Sequence, residues 1–180
     1  MTLNTTMAPS HEIAASLLAE FEQELGTTRK FLESVPEERL AWRPHEKSMT
    51  VGQLALHIAQ VPEMVLRLSE PDEAAVPDMS RERPQPATLR EVLDALDQSA
   101  SYLRQTLPML DDRRMSDTFR VTQGGRAVMS LPRAAFLRSV MLNHWYHHRG
   151  QLGVYLRLLG VAVPSSYGPS GDEMPNFASE

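Results

Sequence analysis

Apolar residues recur at helical spacing in four stretches of the chain. In the first, residues 10–34, Ile13, Leu17, Phe21, Leu25, Leu32 and Val35 follow one another by one or two turns. Ser10 is the expected N-cap and Pro36 the stop. The second, residues 50–69, opens on Thr50 and Gln53 in a capping-box pattern and carries Leu54, His57, Val61, Met64 and Leu68 on one face. The third, residues 88–109, opens on a second such box, Thr88 and Glu91. Its face is Leu89, Val92, Leu93, Leu96, Ala100, Leu103 and Leu107, and Pro108 marks its end. The fourth, residues 131–159, has Ser130 as its cap, tolerates Pro132 in its first turn and stops at Gly160.

The segments between them complete the picture. Residues 70–87, with Pro71, Pro77, Pro84 and Pro86, show no core pattern and read as a polar linker. Fully extended, that linker reaches roughly 60 Å, enough to let the second and third helices run parallel. From Thr118 to Met129, Phe119 and Val121 alternate with polar neighbours and Gly124-Gly125 supplies a turn, which predicts a small β-hairpin. Residues 161–180 read as a C-terminal coil. The expectation is an all-α, single-domain four-helix bundle over residues 1–180, with one hairpin between helices 3 and 4.

Composition narrows the function. The net charge of -5 and the lack of a basic run argue against nucleic acid as a partner. No cysteine is present, so thiolate metal sites and a cysteine nucleophile are excluded and any metal takes nitrogen or oxygen ligands. The first residues lack the basic flank and apolar core of a secretory signal, and no stretch approaches the roughly 18 apolar residues of a membrane span. A cytoplasmic location is expected.

The chemistry concentrates in Asn143-His144-Trp145-Tyr146-His147-His148-Arg149-Gly150-Gln151. His144 and His148 stand one helical turn apart, about 40° in phase, so two imidazoles can grip one ion. Setting His144 at zero, Leu137, Val140, Met141, Leu152, Tyr155, Leu158 and Leu159 fall between about -40° and +80°. His148 lies near the centre of that arc and His147, at about -60°, outside it, so His148 is assigned inward. His57 shares the apolar face of helix 2 and is the third candidate ligand. Taken singly, each histidine is as readily a hydrogen-bonded core residue or a surface group; the shared inward phase is what favours a metal. Gln151, on the same inner face, is expected to support a ligand from behind or to touch substrate, or to be a plain core amide. His11 and His45 read as surface residues. Asp172 and Glu173 reach the site only if the tail folds back. Pro62 should kink helix 2 just past His57. Leu142, Tyr146 and Gly153 make helix 4 apolar or small on its far side too, which suggests a dimer interface.

His144-x-x-x-His148 with Arg149-Gly150-Gln151 and Tyr155-Leu156-Arg157-x-x-Gly160 resembles the last helix of DinB family proteins. Ser48-Met49-Thr50-Val51-Gly52-Gln53-Leu54-Ala55-x-His57, preceded by Val35-Pro36-Glu37-Glu38 and Trp42-Arg43-Pro44, resembles that family's second helix. The resemblance covers nearly the whole chain. It implies an up-down-down-up bundle, usually dimeric, holding one divalent ion on three histidines, which match His57, His144 and His148. Zinc or nickel comes first, then iron or manganese. Some relatives transfer low-molecular-weight thiols, and the family's link to DNA damage is one of induction. The leading expectation is a metal-dependent enzyme acting on a small molecule, most readily by thiol S-transfer. The alternatives are a metal-dependent hydrolase and a non-enzymatic metal-binding stress-response bundle. No carboxylate stands beside the histidines as in His-Glu-x-x-His, which weighs against hydrolysis.

Overall fold

The computed structural model describes residues 8–78, 80 and 82–174. The start of the chain, residues 1–7, and the last six residues of the expected coil lie outside them. Helix α1 (Glu12–Glu33), α2 (Val51–Leu68) and α3 (Leu89–Thr106) form three rods of the frame. A short α4 (Asp112–Ser116) follows, and the fourth rod is composite. It begins as α5 (Arg133–Phe136), widens into a π-helical stretch (Leu137–Asn143) and continues as α6 (His144–Leu158). Helix α2 packs on α3 and on α6 with its π-helical lead-in, while α1 packs on α3 and α6. No helix among the described residues is long and apolar enough to cross a membrane.

The local signals act much as the sequence suggests. Thr50 and Gln53 form a complete capping box at α2, each bond 3.0 Å. Thr88 Oγ1 accepts from the Glu91 N–H at 3.2 Å, but Glu91 reaches one residue further back, to the Ala87 N–H. Gly160, with φ of 72°, ends α6: its N–H donates to the Arg157 carbonyl and that of Val161 to the Leu156 carbonyl, satisfying two acceptors of the last turn. Helix α1 is capped differently from expectation. Its N-cap is His11, without a side-chain bond, and the Asp112 carboxylate accepts from the Ile13 N–H at 2.9 Å instead of Ser10 doing so. Helix α3 stops at Thr106 and tightens into a 3-10 turn through Pro108.

Two segments depart from the reading. The 70–87 linker contains a strand, β1 (Glu73–Ala75), which joins β2 (Thr118–Gln123) in parallel, and β3 (Arg126–Pro132) joins β2 antiparallel. Three residues, Glu-Ala-Ala, are too few for a period to show. The hairpin turns on Gly124 and Gly125, both at positive φ, which glycine adopts without the steric cost of a Cβ. The hairpin also runs further than expected, since pairing continues through Thr118↔Pro132. Ser130 therefore sits in the ladder opposite Arg120, caps nothing, and the helix begins at Arg133. Arg133 is fully buried and donates to the carbonyls of Ser69 and Pro71 and to the Asp72 carboxylate, tying helix start to sheet edge.

The core gathers Phe21, Phe31 and Leu32 of α1, Leu54, Ile58 and Leu66 of α2, Leu96 and Leu103 of α3, and Trp145, Leu152 and Leu156 of α6. Trp145 stacks on Phe21 at 5.0 Å between ring centres. The far side of the last helix is covered within this one chain. Leu142 is fully buried, Tyr146 bonds Glu20 on α1, and a Cβ on Gly153 would meet the Phe31 ring at 3.2 Å. That stripe is accounted for without a second subunit.

Candidate metal centre

Two elements deliver three imidazoles to one place. His57 comes from the second turn of α2, and His144 and His148 from the first turns of α6, just past the π-helical stretch. Ring centres lie 5.3 Å apart for His57 and His144, 4.7 Å for His57 and His148, and 4.4 Å for His144 and His148. One ligand nitrogen from each falls within 4.8 Å of the others. All three side chains are half-buried, and among the described residues no carboxylate joins the cluster. His147 is exposed, as its phase implied, its ring 5.0 Å from that of His148.

The registration of the two helices has a visible cause. Pro62 has no N–H to give the Ile58 carbonyl, and the Trp145 indole donates to that carbonyl at 2.9 Å. The next amide, Glu63 N–H, is taken by Ser99 Oγ on α3 at 3.0 Å. Ile58 follows His57 and Trp145 follows His144, so this one bond fixes the two ligand-bearing helices against each other. Pro62 is plain in the sequence, but the donor that Trp145 offers to the carbonyl it leaves open is not. On a 100° ladder from His144, Trp145, Leu152, Arg149 and Leu156 centre the buried arc near about 100°, and the histidines lie on its edge. Leu158, placed in the core by phase, is 60% exposed, as is Met64 on α2 at 44%. The site is therefore at the rim of the core, open on one side.

The ring nitrogens are arranged for a cation. His148 Nδ1 faces Gln151 Oε1 at 2.9 Å, so it carries the proton and leaves Nε2 bare. The His144 ring has the Val140 carbonyl as a hydrogen-bond partner. The two Nε2 atoms face each other at 2.6 Å. Two ring nitrogens so close need a proton or a metal ion between them. Burial works against the proton: it holds His57 down to about 3 and His148 down to about 4, and lowers His144 too. The neighbouring rings and the Arg83 guanidinium push in the same direction. Three neutral imidazoles with converging lone pairs are a donor set for a divalent ion such as zinc or nickel.

The remaining expectations divide. Gln151 Oε1 lies against His148 Nδ1, on the side away from the other rings' contact. The tail folds back, but Asp172 pairs with Arg157 and accepts from the Val163 N–H, and Glu173 accepts from Ser165. Neither is in the histidine cluster. His11 is half-buried and its Nδ1 meets the Leu110 carbonyl, while His45 is exposed in its loop. Arg149, beside His148, is buried and pairs with Glu24 of α1 at 2.6 Å. Nothing in the local sequence marks that pairing, because its partner is 125 residues away.

The same architecture recurs in known proteins. The uncharacterized protein YrdA of Bacillus subtilis (strain 168) is 27% identical over 165 residues, 91% of this chain and 93% of YrdA. A DinB-like protein from Bacillus cereus ATCC 10987 superposes with a TM-score of 0.66 at 23% identity, over 84% of this chain and 95% of that one. YfiT from Bacillus subtilis, described as a probable metal-dependent hydrolase with an unusual four-helix bundle topology, superposes with a TM-score of 0.62 at 16% identity, over 90% and 95%. The DinB family pattern itself matches residues 3–176. With a family pattern that matches nearly its whole length, this chain belongs to the DinB family.

Proposed function

We propose that the protein is a metal-dependent enzyme acting on a small molecule, with His57, His144 and His148 holding one divalent ion, zinc or nickel before iron or manganese. The observation that carries this reading is the convergence of three ligand nitrogens within 4.8 Å, two of them facing each other at 2.6 Å. Three protein ligands leave coordination positions for a water or substrate, the arrangement of a catalytic rather than a closed structural site. When bound, the ion supplies Lewis acidity that favours the deprotonated form of a thiol or water. The chain's own part is to keep the rings neutral by burial, to orient His148 through Gln151, and to lock α2 against α6 through Trp145.

Thiol S-transfer fits this site best. A thiol near its ion needs little help to lose its proton, whereas hydrolysis calls for a general base, and no carboxylate lies in the histidine cluster among the described residues. Hydrolysis is the second reading, favoured by the description of YfiT. All three ligands come from one chain, so neither reading depends on the homodimer that we also propose. An up-down-down-up course of the helices is part of the same proposal, as the long 70–87 connection permits.

Elemental analysis of protein purified without added metal is the first test. The expected result is about one divalent ion per chain, lost in His148→Ala with the fold retained by circular dichroism. A full complement of metal in that variant would overturn the ligand assignment. Metal-dependent turnover of an electrophile with a panel of thiols, against ester and amide substrates, then decides between transfer and hydrolysis.

A further inference from the structure

The loop ahead of α3 carries a residue that the metal site does not use. Arg83 is half-buried, and among the described residues no carboxylate pairs with its guanidinium. Its backbone is pinned over α2: Gln53 Nε2 donates to the Arg83 carbonyl at 3.1 Å, and Gln53 stands one turn before His57 on the same helix face. The loop is held again two residues on, where Thr50 Oγ1 donates to Gln85 Oε1 at 2.7 Å and Gln85 Nε2 donates to the Leu40 carbonyl at 3.1 Å. Gly52 makes room for this crossing, since a Cβ there would lie 2.7 Å from Gln85 Nε2 and 2.8 Å from the Leu40 carbonyl oxygen. Arg83 thus has a fixed anchor one turn from His57 and, among the described residues, no carboxylate partner, and its charge disfavours protonation of all three histidine rings.

The electrostatics of the site are one-sided. Its ligands are neutral, Arg83 beside it is a cation, and among the described residues no carboxylate joins the cluster, although the chain as a whole carries a net charge of -5. A divalent ion would add to the positive charge. An arginine half-withdrawn from water without a partner is costly to keep, and the planar guanidinium matches the two oxygens of a carboxylate. A phosphate, with its larger charge, is usually met by several donors or a free helix N-terminus; here the α2 terminus is already satisfied by its own capping box. We infer that the substrate of this site is a small molecule bearing a carboxylate, which Arg83 receives while the reacting group meets the ion held by the histidines. This rests on the metal-centre reading above and adds the substrate class to it.

The test uses the full chain loaded with cobalt(II), whose absorption spectrum changes when a thiol enters its coordination shell. Cobalt content is measured first and reads the metal assignment by itself. Affinities of 3-mercaptopropionate and of neutral 3-mercapto-1-propanol are then compared in the wild type, Arg83→Gln and Arg83→Lys. The expected wild-type preference for the carboxylate is about tenfold or more, the scale of one charge-assisted pair. Arg83→Gln should bring the two thiols within about twofold of each other, with cobalt content and the neutral thiol's affinity unchanged, and Arg83→Lys should recover part of the preference. A wild-type preference that survives in Arg83→Gln would assign it to the ion alone and overturn the inference, as would equal wild-type affinities. If cobalt does not bind, the metal assignment fails. Calorimetry of propionate against 1-propanol on the same proteins then decides the carboxylate site alone: a wild-type preference for propionate that vanishes in Arg83→Gln supports it, and no such preference in the wild type overturns it.

Discussion

Gln151 shows how a single side chain can set the chemistry of its neighbour. By accepting from His148 Nδ1 it selects the tautomer with a bare Nε2 and holds the ring toward His144. Gln151→Ala should therefore weaken metal binding by about 10–100-fold while leaving all three ligands in place. Competition against a chromophoric chelator measures this directly, and an affinity within twofold of wild type would reduce Gln151 to a packing residue. At this scale much of the site was legible. One-turn spacing and helical phase separated His148 from His147, and a shared apolar face brought in His57. What phase alone could not place was the centre of the core. Arg149 looks polar in sequence yet is buried, because Glu24 and Thr28 on α1 neutralise and bond it. The histidines consequently sit at the core's edge.

Elements position these residues through bonds that sequence periodicity does not record. Pro62 leaves the Ile58 carbonyl without its helical donor, and the Trp145 indole fills the vacancy. Trp145→Phe keeps an aromatic ring against Phe21 but removes the donor, leaving a buried carbonyl unsatisfied at a cost of about 1–3 kcal/mol. The loss should appear as a lower urea midpoint with an unchanged slope, together with weaker metal binding, since the same bond registers α2 against α6. Unchanged stability and affinity would mean that the two helices are registered by packing alone. The four helices themselves were readable because each carries three or more turns of apolar repeat. Strand β1 was not, being three residues long and formed only by pairing with β2. The start of the last helix was misplaced for a related reason: the β2–β3 ladder claims residues 130–132 that a Ser-x-Pro pattern assigns to a helix. The π-helical stretch before His144 leaves no mark in composition, and π segments recur beside functional sites.

For the molecule as a whole, the histidine cluster makes stability depend on pH when no ion is bound. Folding buries three imidazoles and lowers their proton affinity, His57 to about 3 and His148 to about 4, with His144 lowered as well. In the unfolded chain the same groups titrate near about 6.5. Above that pH neither state binds these protons and the rings cost nothing through this route. As pH falls below it, the unfolded chain takes up protons that the folded chain refuses, so the unfolded state gains and stability declines. The decline continues toward the folded values of about 3 and 4, joined below about 3.8 by Asp72, Asp112 and Asp172, whose carboxyls are lowered in the fold by hydrogen bonds and by nearby arginines or His11. Chelator-stripped protein should accordingly show a urea midpoint that drops steadily between pH 7 and pH 5, before most carboxylates begin to titrate. Replacing His57 with Gln, which cannot take up a proton, should flatten part of that slope. A midpoint that stays level from pH 7 to 5 in the stripped wild type would mean that the rings are protonated in the folded state, and so are not held as the neutral donors a metal centre requires.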